Sequence, residues 1–328
     1  MEQSTPVTVE YAPASTRSAR TRLPLFVTLL VLINLVWAAQ PLAVKDLEQQ
    51  LGHPETGAQF ATALLPFLIV TPLMVPLLFI GRSVERIRPG VHDWGRFIIA
   101  GIGQIVCYVG MTWGMAIGLA SNCAILYLLI PVITAVMATI MLGERLTGLR
   151  ILCLVIGLVG VMIMSIQELR SSSFLESKYL AGNALMLLGC LGASFYNVYC
   201  KGLMRRFNER DILIYSYIVA SVVGAIVLAI LDRGAFARIT QLDTRATIAL
   251  AFNALLVYGL SMIAFFYVLQ HLPVTVALTS TYMVPVFGVV LAMVVLHERL
   301  STTSAIGSLI VLASTVLIMK YDAPSAVE

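Results

Sequence analysis

The sequence predicts an all-α integral membrane protein with ten membrane-spanning helices, arranged as two inverted five-helix repeats. Three observations lead there. Of the 328 residues, 59% are hydrophobic and 12% are charged, against about 25% charged in a soluble domain. The apolar residues gather in runs of about 20 residues without two-residue alternation, which selects helices over a barrel as the way to satisfy the backbone in lipid. A segment of the first half recurs in the second. The mean hydropathy, +0.93, agrees with the first of these.

Taken in order, residues 1–22 are polar and carry Arg17, Arg20 and Arg22, as in a disordered cytoplasmic tail. Ten runs follow, each able to cross a hydrocarbon core of roughly 30 Å. Run 25–44 ends at Lys45, and run 60–81 is followed by Arg82, Arg86 and Arg88. Run 95–117 begins behind Trp94, an interfacial anchor. Run 119–142 carries Pro131 and ends in Glu144-Arg145, and run 149–167 closes the first half. Run 179–201 ends at Lys201, and a link holding Arg205, Arg206 and Arg210 leads into run 211–231. Runs 247–270, 274–296 (with Pro285, before Glu298-Arg299) and 303–320 complete the chain.

Charge placement gives orientation. With the N-terminus inside, 14 of the 21 Lys and Arg residues are cytoplasmic and 7 lie on the other side, so both termini are expected in the cytoplasm of a cell inner membrane. No soluble basic face exists for nucleic acid, and none is expected as a partner. Cys107, Cys123, Cys153, Cys190 and Cys200 all fall in apolar runs without metal-ligand spacing and read as packing residues. No cofactor is expected, and the chain is expected to act as a monomer or weak homodimer among membrane lipids.

The repeat is the most informative feature. Pro131–Leu146 (PVITAVMATIMLGERL) aligns without gaps on Pro285–Leu300 (PVFGVVLAMVVLHERL) at an offset of 154, with 8 of 16 positions identical. A weaker echo links WAAQPLAVKDL (37–47) to ASFYNVYCKGL (193–203). The halves are 23–170 and 178–322. Each holds five runs, an odd number, so the second enters the membrane from the opposite side. Inverted repeats of this kind recur in secondary transporters, with the substrate site near the midplane at the repeat interface.

The Pro131 helix ending in Gly143-Glu144-Arg145-Leu146, its echo ending in His297-Glu298-Arg299-Leu300, Trp113-Gly114-Met115-Ala116 before it, and Trp37 to Lys45 together resemble the EamA domain of the drug/metabolite transporter superfamily. The resemblance covers nearly the whole chain as two copies. It departs where His297 stands for Gly143 and Ala193 for Trp37. It implies a ten-helix inner-membrane carrier of small organic metabolites, frequently an exporter. It also implies a central cavity lined by the first, third, fourth, sixth, eighth and ninth helices.

Polar and aromatic residues at mid-depth are the lining candidates. Asn34, Trp37 and Gln40 share a face of the first run, as Gln104 and Tyr108 do on the third. Tyr127 stands on the fourth, Tyr196, Asn197 and Tyr199 on the sixth, Tyr258 and Ser261 on the eighth, and Tyr282 on the ninth. Taken singly, such residues either line a cavity or bond a neighbouring helix. Glu144, Arg145, Glu298 and Arg299 read either as symmetry-related gate latches or as anchors of helix ends. Pro131 and Pro285 interrupt their helices as hinges or as packing kinks. Gly110, Gly114 and Gly118 form a close-packing stripe, expected to face the fourth run. The six aspartates and four histidines fall in loops, tails or helix ends, which disfavours a charged solute and points to a neutral or zwitterionic one.

Other classes fit less well. An intramembrane enzyme needs a nucleophile or metal site, and neither HExxH nor a plausible Ser–His pair is found, so no catalytic residue is assigned. A sensor or scaffold would usually add a soluble domain. No GxxxxGK[ST] loop for ATP is present.

Overall fold

Helix is the only regular structure among the described residues of the computed structural model, which are 16–51, 58–79, 89–118, 120–164, 177–295 and 302–321. Eight helices among them are long and apolar enough to cross a membrane, and two shorter apolar helices accompany them. The first-half helices are α1 (Thr16–Leu51), α2 (Ala58–Met74), α3 (Trp94–Ile117), α4 (Ala120–Tyr127), α5 (Ile130–Leu142) and α6 (Gly148–Met164). In the second half they are α7 (Ser177–Leu203), α8 (Glu209–Leu231), α9 (Ala235–Ile239), α10 (Thr244–Ala251), α11 (Ser261–His271), α12 (Val274–Thr279), α13 (Met283–Val295) and α14 (Thr302–Tyr321). A π-helical stretch, Phe252–Leu260, joins α10 to α11, and a 3-10 turn, Ser280–Tyr282, joins α12 to α13.

α1 begins at Thr16, inside the stretch expected to be disordered. Ala19 and the arginines between it and Leu23 are good helix formers, and the apolar helix behind them supplies the nucleus that a free peptide lacks. Residues 1–15 lie outside the described residues. α1 also continues past Lys45 to Leu51, so its last turns hold Asp46 and Glu48.

The two symmetric prolines stand at helix starts rather than mid-helix. Pro131 occupies the first turn of α5, and α4 ends at Tyr127, four residues before it. Pro285 sits in the first turn of α13, and the 3-10 turn before it contains Thr281, again four residues earlier. The physical reason is local. A proline ring collides with the carbonyl of residue i−4 and offers it no N–H, so the backbone gives way there.

α3 packs most extensively on α7, and glycines set their separation. A Cβ on Gly110 would stand 2.8 Å from the Gly189 backbone nitrogen, and one on Gly189 would stand 2.6 Å from that of Met111. Gly182 meets Gly118 in the same way at 2.5 Å. The glycine stripe therefore packs against the sixth run, not the fourth. Its partner glycines lie seven residues apart on α7 and form no GxxxG sequence.

The other pairings are α6 with α14, α2 with α8, α5 with α7, α3 with α8, and α1 with α11 and α13. Exchanging the halves maps most of these onto one another. α5 on α7 corresponds to α13 on α1, and α3 on α7 to the α10–α11 span on α1. The core is one large cluster joining α1, α2, α3, α7, α8 and α11, with a smaller one between α5, α6, α13 and α14 and a third between α3, α4 and α7.

Candidate functional site

Where helices of both halves meet, four aromatic rings share one contact. Phe67 of α2 presents its ring to Tyr108, Tyr217 and Tyr258 at centroid separations of 5.3, 5.1 and 4.7 Å, each near perpendicular. Tyr108 and Tyr258 face each other at 4.1 Å. Edge-to-face rings bring positive edges against negative faces, which fixes their mutual orientation. The Tyr217 hydroxyl donates to the Tyr258 carbonyl at 2.7 Å, and the Tyr258 hydroxyl to that of Ala63 at 3.1 Å. Tyr258 lies in the π-helical stretch, whose i→i+5 bonds widen the turn, a local geometry frequent at functional sites.

Beside this cluster lies Gln104, 0% exposed on α3. Neither of its amide atoms meets a partner at hydrogen-bonding geometry, although the Tyr217 phenol is its neighbour. A buried amide left this way is costly, about 1–3 kcal/mol for each unsatisfied group.

α1 supplies a second polar group. Asn34 donates from Nδ2 to the Leu30 carbonyl at 2.7 Å and to Ser280 Oγ at 3.0 Å, while its Oδ1 is buried without a partner. One turn on, Trp37 donates its indole N–H to Ser261 Oγ at 3.0 Å and packs on Phe265 at 5.3 Å. Pro41 cannot donate to the Trp37 carbonyl, which is left without its helical bond. Gln40 lies half-buried between them.

The remaining lining candidates are dispersed. Tyr196 bonds Ser216 Oγ at 3.1 Å inside the core. Asn197 donates to the Ala193 carbonyl at 2.9 Å and keeps a buried, unpartnered Oδ1. Tyr199 stacks on Phe195 at 5.4 Å, and Tyr127 packs beside Cys107 and Cys190. Tyr282, 1% exposed, belongs to the smaller core, its ring so close to α6 that a Cβ on Gly157 would lie 2.5 Å from it. The structure thus groups Gln104, Tyr108 and Tyr258 in one place and Asn34, Trp37 and Ser261 in another, with Tyr282 apart from both.

At one end of the bundle, charged side chains tie helix ends together. Gly143 ends α5 with φ of 70°, a left-handed turn that glycine makes freely, and the chain leaves sideways with Glu144. The Glu144 carboxylate, 14% exposed, accepts from the Val274 N–H (2.9 Å), the Thr275 N–H (3.4 Å) and the Thr275 hydroxyl (2.9 Å). These free N–H groups open the span Val274–Leu291, and a carboxylate suits that helix end. Arg150 stands 3.9 Å from the same carboxylate and donates to the Arg145 carbonyl at 3.0 Å, while the Arg145 side chain is exposed. Lys201 donates to the carbonyls of Leu269 (2.6 Å) and Gln270 (3.2 Å), and Arg205 to that of Leu142 (3.1 Å). Glu298 and Arg299 lie outside the described residues.

Phe67, Tyr217 and Glu48 were not among the sequence candidates. The two aromatics sit mid-run in the second and seventh runs, which the resemblance did not assign to the cavity. Glu48 was placed beyond the first helix; it lies within the longer α1, with one carboxylate oxygen buried and without a partner. Among the described residues, no cluster of three or more His, Cys, Asp or Glu side chains could hold a metal ion.

A bundle of apolar helices with this buried polar-aromatic centre is a multi-pass membrane protein of transport type. The sequence profile of the EamA-like transporter family matches the chain twice, at residues 25–166 and 180–320. The chain belongs to that family. It is 23% identical over 285 residues to the uncharacterized transporter YoaV of Bacillus subtilis, covering 86% of this chain and 92% of that one. It is 23% identical over 232 residues to a probable terminal-alkyne amino-acid exporter of Streptantibioticus cattleyicolor, covering 70% and 75%. A solved crystal structure superposes with a TM-score of 0.69 at 15% identity, covering 88% of this chain and 94% of that one, a likeness of fold.

Proposed function

We propose that this transporter is a secondary carrier of a small neutral or zwitterionic organic solute, such as an amino acid, working by alternating access and exporting it across the inner membrane. The observation that carries the reading is the fully buried Gln104 amide, with the Tyr217 phenol as its polar neighbour, beside tyrosines from both halves. An amide both donates and accepts, so it fits an uncharged or zwitterionic solute, and the aromatic faces fit an apolar side chain. Export, and an amino acid in particular, rest on the family resemblance and on the relative named as an amino-acid exporter.

Two features support ten spans in two inverted halves. The helix pairings interconvert when the halves are exchanged. The polar contacts do so as well. Asn34 of α1 bonds Ser280 at the broken ninth span, and Cys190 of α7 lies 3.5 Å from the Leu126 carbonyl at the broken fourth. Residues 34 and 190, and 280 and 126, are repeat equivalents. Each half's opening helix therefore grips the break in the other half, which favours hinges at Pro131 and Pro285. Glu144 acts as the latch of one mouth.

The test is uptake into proteoliposomes of a panel of radiolabelled neutral, zwitterionic and charged metabolites, with and without a pH gradient. Saturable movement of a neutral or zwitterionic solute, lost in Gln104→Met, supports the reading. Movement of charged solutes alone, or a full rate in Gln104→Met, overturns it. Cysteines placed at Gln49 and Arg205, repeat-equivalent exposed positions beyond the first and sixth spans, should be labelled from opposite sides of the membrane. Same-side labelling would break the inverted topology.

A further inference from the structure

A groove of about 220 Å³ runs between α1, α13 and α14, lined by Leu23, Val27, Val31, Leu312, Val316 and Met319 among others, with Lys320 at one end and Ser280 at the other. We propose that this groove holds one acyl chain of an anionic phospholipid, with Lys320 binding the phosphate of its headgroup. The inference goes beyond the solute reading and does not depend on it.

Length comes first. From Leu23 to Val31 on α1, and from Leu312 to Lys320 on α14, the walls extend about 12 Å at 1.5 Å per residue. One leaflet of a hydrocarbon core of about 30 Å is about 15 Å deep. The groove therefore reaches from the headgroup level, at Lys320, close to the bilayer centre, at Ser280. A space of about 220 Å³ over that length suits one chain of methylenes and is too small for a whole helix of about 10–12 Å diameter.

Chemistry comes second. The hydroxyls facing this space are already engaged, Ser280 Oγ donating to the Ala277 carbonyl at 2.7 Å and Thr315 Oγ1 to that of Val311 at 3.0 Å. Nothing along the walls rewards a polar solute, and the remaining surface is hydrocarbon. Charge is confined to the end. Lys320 is exposed in the last turn of α14, its Nζ 5.2 Å from the Tyr321 ring, with no carboxylate paired to it among the described salt bridges. An ammonium at the mouth of an apolar slot complements a phosphate above an acyl chain.

The experiment is native mass spectrometry of the purified full-length protein after mixing with equal amounts of phosphatidylglycerol and phosphatidylcholine of the same acyl chains. Wild type should retain phosphatidylglycerol with about a fivefold preference, the size of one basic residue's attraction near an anionic surface. Lys320→Gln should retain both lipids equally. Thr315→Phe, which fills the groove, should lose both, and thermal unfolding of Lys320→Gln close to wild type shows that the fold is intact. Equal retention of the two lipids by wild type overturns the assignment, as does a phosphatidylglycerol preference that survives both substitutions. A wild-type dimer that Thr315→Phe converts to monomer also overturns it, by making a second copy the occupant.

Discussion

Gln104→Met separates the cost of burying an amide from its proposed use. Methionine keeps the length and flexibility of glutamine and removes both amide atoms, which have no partner in the core. Each buried, unsatisfied polar group costs about 1–3 kcal/mol, and the nearby Tyr217 phenol offsets part of that, so the variant should be more stable by about 1–3 kcal/mol. Helix propensity does not oppose the change, since Met and Gln are nearly equal. Under the proposed function, the solute loses two hydrogen bonds. Two neutral hydrogen bonds at about 0.5–1.5 kcal/mol each amount to a loss of affinity of roughly 5–150-fold. Thermal unfolding in detergent and transport kinetics in proteoliposomes, on the same preparations, read the two effects. A higher melting temperature with a raised KM is the expected pair. A lower melting temperature would show that the amide is satisfied, and an unchanged KM would remove Gln104 from the solute site.

Tyr282→Phe removes a buried hydroxyl without a partner, and should raise the melting temperature while leaving transport at the wild-type rate; slower transport would bring Tyr282 back to the solute path. Glu144→Ala removes charge-assisted bonds worth about 1.5–3 kcal/mol, enough to shift the mouth's open fraction roughly tenfold to a hundredfold, and should change exchange rates several-fold. Arg145→Ala, on an exposed side chain, should not; equal rates in the two variants would leave Glu144 a plain anchor. Gly189→Val drives a side chain into the Met111 backbone and should cost at least about 1–3 kcal/mol, seen as lost yield and a lower melting temperature, whereas Gly288→Ala meets no atom within 4 Å and should be harmless. Asp243 caps α10 by accepting from the Ala246 N–H at 2.7 Å, which holds its carboxyl below the usual range. Its contribution is therefore present above the unfolded value of about 3.9 and lost as pH falls through the lower folded one, and Asp243→Ala should flatten that part of the acid-unfolding curve.

Much of this was legible in the sequence, for identifiable reasons. Lipid permits so few backbone solutions that an apolar composition in runs of about 20 residues selects helices, and the PVxxxV…ERL echo exposes the duplication. Position within a helix was harder to read. The prolines looked mid-helix because the apolar run passes unbroken through Leu128 and Leu129, and only the clash at residue i−4 reveals the interruption. Tyr217 and Phe67 are not legible as members of a shared site because the resemblance implies a cavity lined by other runs, and an aromatic ring in an apolar run reads equally well as packing. The π-helical turns that carry Tyr258 have no marker in FNALLVYGL at all, since they depend on the packing around them. Glycine spacing indicated a close contact but not which helix makes it; the partner glycines on α7 fix that.

Trp37 turns the site into its own optical gauge. The protein has three tryptophans, and the Trp37 indole is hydrogen-bonded to a hydroxyl of the facing span, beside the Phe265 ring. Indole emission shifts with the polarity around the ring and with that bond, so a protein keeping Trp37 while Trp94 and Trp113 are phenylalanine would report, without any attached dye, each change in the spacing of α1 and α11. A solute that displaces Ser261 from the indole would announce itself as a wavelength shift, and titrating that shift would screen candidate cargoes before any flux is measured.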